Sequence, residues 1–196
     1  MADKTSVDPS DKASSNEEMF PTLTADQISR TAVHGHARHV EQGEMLIEAG
    51  EETARLFVVT AGQIETSAMS GTVRKIVAVI QPGMFTGEVT MLSGRRGLAQ
   101  TTATEPSEVI EVDRAELLSL VQQDSELGDI LMRAFILRRV MLIAGQFGDV
   151  VLVGSIHCAG TLRVKEFLTR NGHPYSYIDL DRDDGVQELL DAVEKT

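Results

Sequence analysis

The apolar positions of the chain change their period twice. Residues 20–30, FPTLTADQISR, predict a short helix, with Thr24 as its N-cap and Gln27 as the capping-box partner three places on. Between residues 37 and 112 the apolar residues fall in short runs, 56–59, 76–80, 98–102 and 109–112. Glycines at Gly43, Gly50, Gly62, Gly71 and Gly83 punctuate this stretch at roughly the spacing of tight turns. Several short strands with regular turn signals predict an all-β roll or sandwich.

From Arg114 the spacing becomes helical. AELLSLVQQ and DSELGDILMRAFILRRVMLIAG predict two helices, the second capped by Asp124 or Ser125 and ended by Gly145. Leu127, Ile130, Leu131 and Ala134 cannot share one face of that helix with Ile136, Val140 and Ile143. An apolar helix of this kind packs on two surfaces. Either it is wedged between two parts of one chain, or its segment 125–145 meets a second copy in a homodimer.

Near Gly148 the period changes again. DVVLVGS predicts a buried strand, HCAGTLRVKEFLTRNG a helix ended by Asn171-Gly172, and PYSYIDLD a second strand. DDGVQELLDAVEKT predicts a further helix capped by Asp183 or Asp184. A strand–helix–strand unit with a short crossover implies parallel pairing and a right-handed connection. Two strands are a poor sheet by themselves, so they borrow a partner or belong to a larger fold. The organisation expected is a disordered polar tail at 1–19, a β-roll with flanking helices at 20–146, and a small βαβα segment at 147–196. The fold class is α+β.

Composition narrows the function. The 196 residues are 42% hydrophobic, ample for a packed core, and carry a formal net charge of −12. That charge argues against a general nucleic-acid surface, which needs clustered Lys and Arg. A small anion pocket is still allowed, since it needs only local charge and backbone N–H groups. No apolar run reaches the length of a membrane span, and the N-terminus lacks a secretory h-region. Cys158 is the single cysteine, so no intrachain disulfide forms, and a cytoplasmic location is expected.

The stretch VEQGEMLIEAGEETARLFVVTAGQIE, followed by an apolar strand and QPGMFTGEVTML, resembles the cyclic nucleotide-binding domain of catabolite-activator-type regulators and kinase regulatory subunits. The resemblance covers about Thr24 to Gly145. It implies that Glu88, after Gly87, binds a ribose 2′-hydroxyl, while the helix-start N–H groups of Val89 and Thr90 meet the cyclic phosphate. The family also places an arginine on the phosphate, followed by a small residue or Ser/Thr. In the kinase-type count that slot falls on Gly97. In the catabolite-activator type it falls on Leu98, with Ala99 next. Arg95 and Arg96 lie just short of both positions.

Three readings stay open. A cyclic nucleotide is held through Arg96 or Arg95. A different small anion or nucleotide is held. Or the pocket is a degenerate scaffold, with Glu88 structural and the two arginines solvated. Catabolite-activator-type proteins carry a DNA-reading helix-turn-helix after the long helix, but here a strand is predicted instead, so no nucleic-acid partner is expected.

The segment VVLVGSIHCAGTLRVKEFLTRNGHPYSYIDLDRD resembles the first half of a glutaredoxin or thioredoxin-like fold. That places Cys158 at the family's first cysteine and Thr161 at its second, which implies at most a monothiol oxidoreductase. The alternative is a small scaffold cysteine. The combination resembles the N-terminal portion of some bacterial flavoproteins of the thioredoxin reductase type. FAD and NADPH enter only if further domains follow, since this chain contains no GxGxxG of its own. The segment stops before the later strands of a complete thioredoxin fold, so a fragment or a short relative is expected. His34, His36 and His39 are expected to be ordinary exposed histidines rather than metal ligands. Arg138 and Arg139 are expected to snorkel from an apolar helix.

Overall fold

The computed structural model describes residues 16–51, 55–70, 73–87, 97, 99–145, 150–171 and 175–182. The chain divides into two compact units. One is built from Met1–Ser67 and Ile76–Val140, the other from Ala68–Lys75 and Met141–Thr196.

The first unit starts with a helical turn at 16–19, inside the stretch expected as a polar tail, and continues into helix α1 (Ala25–Ala32). The capping box is formed as the sequence predicts. Thr24 Oγ1 accepts the Gln27 N–H at 3.3 Å, and the Thr24 N–H donates to Gln27 Oε1 at 2.8 Å. Seven strands follow: β1 (His36–Val40), β2 (Met45–Ile47), β3 (Leu56–Ala61), β4 (Ile64–Ser70), β5 (Val73–Ile80), β6 (Ala99–Ala103) and β7 (Ser107–Val112). They form two sheets, ordered β1-β7-β3 and β2-β6-β4-β5. β7 pairs antiparallel with both β1 and β3, and β2 pairs antiparallel with β6.

The apolar run on β3 is continuous because the strand is buried on both faces. Leu56 and Val58 join Ile110 and Val112 of β7 in one core, together with Leu117, Leu120, Leu127, Leu131 and Phe135. Phe57 and Val59 point the other way, into a second core with Val40, Leu46, Ile64, Ile80 and Val109. The first core belongs to the helices and the second to the sheets. Of the predicted turn glycines, Gly43, Gly50, Gly62 and Gly83 take φ between 81 and 88°, and Gly71 lies outside the described residues. Gly62 has no alternative, since a Cβ there would stand 2.3 Å from Ser107 Oγ.

Helix α2 (Arg114–Gln123) is capped by Asp113, whose side chain accepts the Glu116 N–H at 2.9 Å. Helix α3 (Ser125–Ala144) follows after a single residue. The Asp124 carboxylate accepts the Leu127 N–H at 3.0 Å, which selects it over Ser125 as the capping side chain. The two-sided apolar pattern of α3 resolves into a buried side, with Leu127, Leu131, Ala134 and Phe135, and an exposed side, with Ile136, Val140 and Ile143. Arg30 of α1 forms ion pairs with Asp124 and Glu126, so α1 is tied to the start of α3.

In the second unit, β8 (Val150–Gly154) and β9 (Tyr175–Asp179) pair in parallel, as the crossover argument predicts, with helix α4 (Ala159–Arg170) between them in sequence. The Tyr177 hydroxyl donates to the Gly154 carbonyl at 2.7 Å, across the end of this pair. The helix expected after Asp183 lies outside the described residues.

Candidate functional site

The predicted ligand loop is framed by its two ends. Glu88, Val89, Thr90, Arg95 and Arg96, with Leu98, lie outside the described residues, while Gly87, Gly97 and Ala99 lie within them. The approach to the loop is fixed on β3. Phe85 forms an isolated antiparallel bridge with Val58. The Thr86 N–H donates to the Phe57 carbonyl at 2.9 Å, and the Phe57 N–H donates back to Thr86 Oγ1 at 3.0 Å. This buried threonine therefore continues the ladder by one residue where the strand pattern ends. Gly87 then takes φ 103°, a conformation that L side chains rarely adopt. The glycine before Glu88 is required by the backbone turn as well as by the motif.

At the far end, the Gly97 N–H donates to the Glu51 carbonyl at 3.3 Å, and the Gly97 carbonyl accepts the Gly50 N–H at 2.9 Å. The loop is thus returned to the β2–β3 turn before β6 begins. A Cβ at Gly97 would meet none of the described residues within 4 Å, and its φ lies outside the left-handed region. Nothing described of the backbone demands glycine where the kinase-type count puts an arginine. Ala99, which follows the slot only in the catabolite-activator count, is half-buried at the first position of β6. Two residues on, the buried Thr101 lies with its hydroxyl 3.4 Å from that of Thr66.

Arg138 is the residue that sequence reasoning misplaced. It does not snorkel: it is 5% exposed. Its Nη1 donates to the Gly87 carbonyl and its Nε to the Met19 carbonyl, each at 2.9 Å. Its guanidinium carbon lies 4.9 Å from the Phe20 ring centroid and 4.6 Å from that of Phe85, both within cation–π reach. Phe135, one helical turn earlier, meets Phe85 edge-on at 6.1 Å. Burial pushes the Arg138 pKa down to about 9. The guanidinium still carries its charge at neutral pH. Its Nη2 is buried and has no hydrogen-bond partner among the described residues. One sequence signal marks this residue: Arg138 sits three places after Phe135, on the face that carries the helix's apolar contacts.

The three histidines do not act together. His34 Nδ1 lies 3.0 Å from Glu116, His39 Nδ1 lies 2.9 Å from Glu108, and His36 Nε2 lies 3.9 Å from Glu111. These carboxylates arrive from β7 and α2, which no local reading of HGHARH reveals. The hydrogen bond to Glu108 raises the His39 pKa above its ordinary value, against a smaller opposing effect of desolvation. Among the described residues, no three of His, Cys, Asp and Glu are grouped to hold a metal. A surface groove between 17–21 and α3 is lined by Glu17, Glu18, Pro21, Asp129, Ile130 and Arg133, the wrong balance of charge for a phosphate.

In the second unit, Cys158 is exposed and stands at the N-cap of α4. Its thiol pKa is lowered, first by the backbone N–H of Thr161, then by that of Gly160 and by the Thr161 hydroxyl. Thr161, at the position expected for a second cysteine, is itself buried.

Residues 37–124 match the model of the family described as cyclic nucleotide-binding domain. Among solved structures, the chain is similar to the catabolite activator protein of Thermus thermophilus, with 18% identity and a TM-score of 0.50, over 79% of this chain and 62% of that one. The chain thus accounts for less than two thirds of that relative. It is also similar to a protein of a cyclic-GMP-dependent signalling pathway that regulates bacterial phytopathogenesis. There the identity is 26% and the TM-score 0.50, over 65% of this chain and 98% of that one. A search of the curated proteins found no match. The first unit accordingly has the cyclic nucleotide-binding fold, of class α+β with β-sheets and flanking helices. No described helix is long and apolar enough to cross a membrane.

Proposed function

We propose that residues 20–146 are a regulatory module that receives a small anionic ligand of the cyclic nucleotide class in the loop between Gly87 and Ala99. The observation that carries this reading is the match of residues 37–124 to the cyclic nucleotide-binding family, together with the left-handed Gly87 directly before Glu88. In this reading Glu88 accepts a ribose hydroxyl. The N–H groups of Val89 and Thr90 meet the phosphate, and Arg95 or Arg96 supplies the cation that Gly97 lacks. The relative from a cyclic-GMP-dependent pathway supports the same ligand class. A ligand regulates by binding one arrangement of α3 more tightly than another.

Isothermal calorimetry of the whole chain with cyclic AMP, cyclic GMP and non-cyclic nucleotides tests this. Binding that Glu88→Ala abolishes is expected. Silence at millimolar concentrations leaves the roll as a scaffold. The exposed Ile136, Val140 and Ile143 of α3 favour a homodimer, and light scattering of Val140→Asp against the native chain reads it: an unchanged mass removes this interface. No nucleic-acid partner is proposed, because β8 follows α3 where a recognition helix would have to stand.

A second reading concerns Cys158. Exposure, the N-terminus of α4 and a lowered thiol pKa favour a monothiol of the glutaredoxin kind. It would sit in the N-terminal part of a flavoprotein whose FAD and NADPH domains lie elsewhere. The test is the pH profile of Cys158 alkylation. Half-maximal reactivity at or above the ordinary thiol value removes the reading.

A further inference from the structure

We infer that Arg138 is a positioning residue for the ligand loop, one guanidinium that fixes the Gly87 turn, the N-terminal turn at Met19 and helix α3 to one another. The inference rests on three observations. The first is where the hydrogen bonds go. Nη1 holds the carbonyl of the last described residue before Glu88, and Nε holds the carbonyl of Met19. These residues lie 51 and 119 positions away in sequence, so a single side chain joins three separate segments.

The second is the choice of residue. Arg138 is 5% exposed, and neither of its hydrogen-bond acceptors carries a charge. A buried cation whose described neighbours are carbonyls and aromatic rings is a poor way to stabilise a fold, since a well-packed apolar side chain does as well or better. What an arginine offers that a leucine does not is direction: a planar fork with donors at fixed angles and two faces that stack on rings. Phe20 and Phe85 both lie within cation–π reach of its guanidinium carbon. Phe85 is also bridged to Val58, so the ring that bears on the guanidinium is itself anchored to β3.

The third is the unpaired donor. Nη2 has no acceptor among the described residues although it is out of contact with water. The fork therefore has a donor available to take up a new acceptor when the turn shifts. Movement of the Gly87 turn and displacement of α3 then become one event, and the N-terminal turn moves with them.

The experiment uses the whole chain, native and as Arg138→Met, Arg138→Lys and Phe135→Leu, with amide hydrogen exchange read along the sequence. In Arg138→Met, peptides covering 16–20 and 82–87 are expected to exchange together, at least tenfold faster, while β1 and β7 keep native rates. Arg138→Lys is expected to behave like the methionine variant, because an ammonium offers no planar fork. Phe135→Leu removes core volume beside Phe85 and is expected to speed exchange across the first core without singling out those two segments. Native rates at 16–20 and 82–87 in a folded Arg138→Met overturn the inference. So does a uniform rise indistinguishable from that in Phe135→Leu. Should the methionine variant not fold, Arg138→Lys decides by the same criterion.

The consequence for ligand binding depends on the function proposed above. If the native chain binds cyclic nucleotide, Arg138→Met is expected to weaken binding at least tenfold. If the native chain binds none, that function fails, while the exchange measurement still judges the tether.

Discussion

Gly97 offers a direct trial of the proposed anion loop. The kinase-type count of the resemblance places an arginine at this position, and the chain has the smallest residue instead. Its backbone gives no reason for glycine: φ lies outside the left-handed region, and a Cβ would have no neighbour within 4 Å among the described residues. Gly97→Arg is therefore expected to fold. Replacing glycine where the conformation suits other residues adds about 0.4–1 kcal/mol by restricting the unfolded chain, which at this size is roughly 1–4 °C in Tm. If the slot faces the phosphate, the new guanidinium forms a charge-assisted hydrogen bond of about 1.5–3 kcal/mol. That is about ten- to a hundredfold in Kd. Calorimetry with cyclic AMP and cyclic GMP reads the gain, with Arg95→Ala and Arg96→Ala in parallel. A Gly97→Arg chain that keeps its Tm and shows affinity unchanged within threefold refutes the assignment of the slot. If Arg96→Ala then loses affinity, the cation already comes from the earlier position.

Gly62→Ala is expected to destabilise the first unit. The left-handed φ and the approach of Cβ to Ser107 Oγ together cost about 2–4 kcal/mol, or roughly 4–16 °C by calorimetric scan; a loss under 2 °C contradicts the packing described. His39 is expected to titrate above its ordinary value in a proton NMR experiment, and Glu108→Gln is expected to bring it back down. Because its folded pKa is raised, its contribution to stability is complete below the unfolded value near 6.5 and fades as pH rises through the folded value. The opposite order of stability across that window excludes the pairing.

Local chemistry was legible in the sequence. Thr24 and Gln27 form their box because both partners lie within one turn, and the turn glycines Gly43, Gly50, Gly62 and Gly83 carry their conformation in their lack of a Cβ. The run at 56–59 was legible as a strand. Its division between two cores was not, because a strand buried on both sides shows no alternation. Arg138 escaped for a different reason. Its partners, Met19, Phe20, Phe85 and Gly87, are all distant in sequence, and an arginine amid apolar helix residues looks the same whether it reaches out or is enclosed. The glutamates opposite the three histidines were hidden by the same distance. Of the ligand loop, sequence supplies Glu88, Val89, Thr90, Arg95 and Arg96 through family resemblance alone. The described structure adds its two ends, Gly87 and Gly97.

The double burial of β3 makes that strand a party wall. Leu56 and Val58 hang on the helix side and Phe57 and Val59 on the other, from one backbone with no slack between them. Pressure on either room is felt in its neighbour without any hinge. A repacking on the helix side is for that reason also an edit to the sheet side, and neither can drift alone.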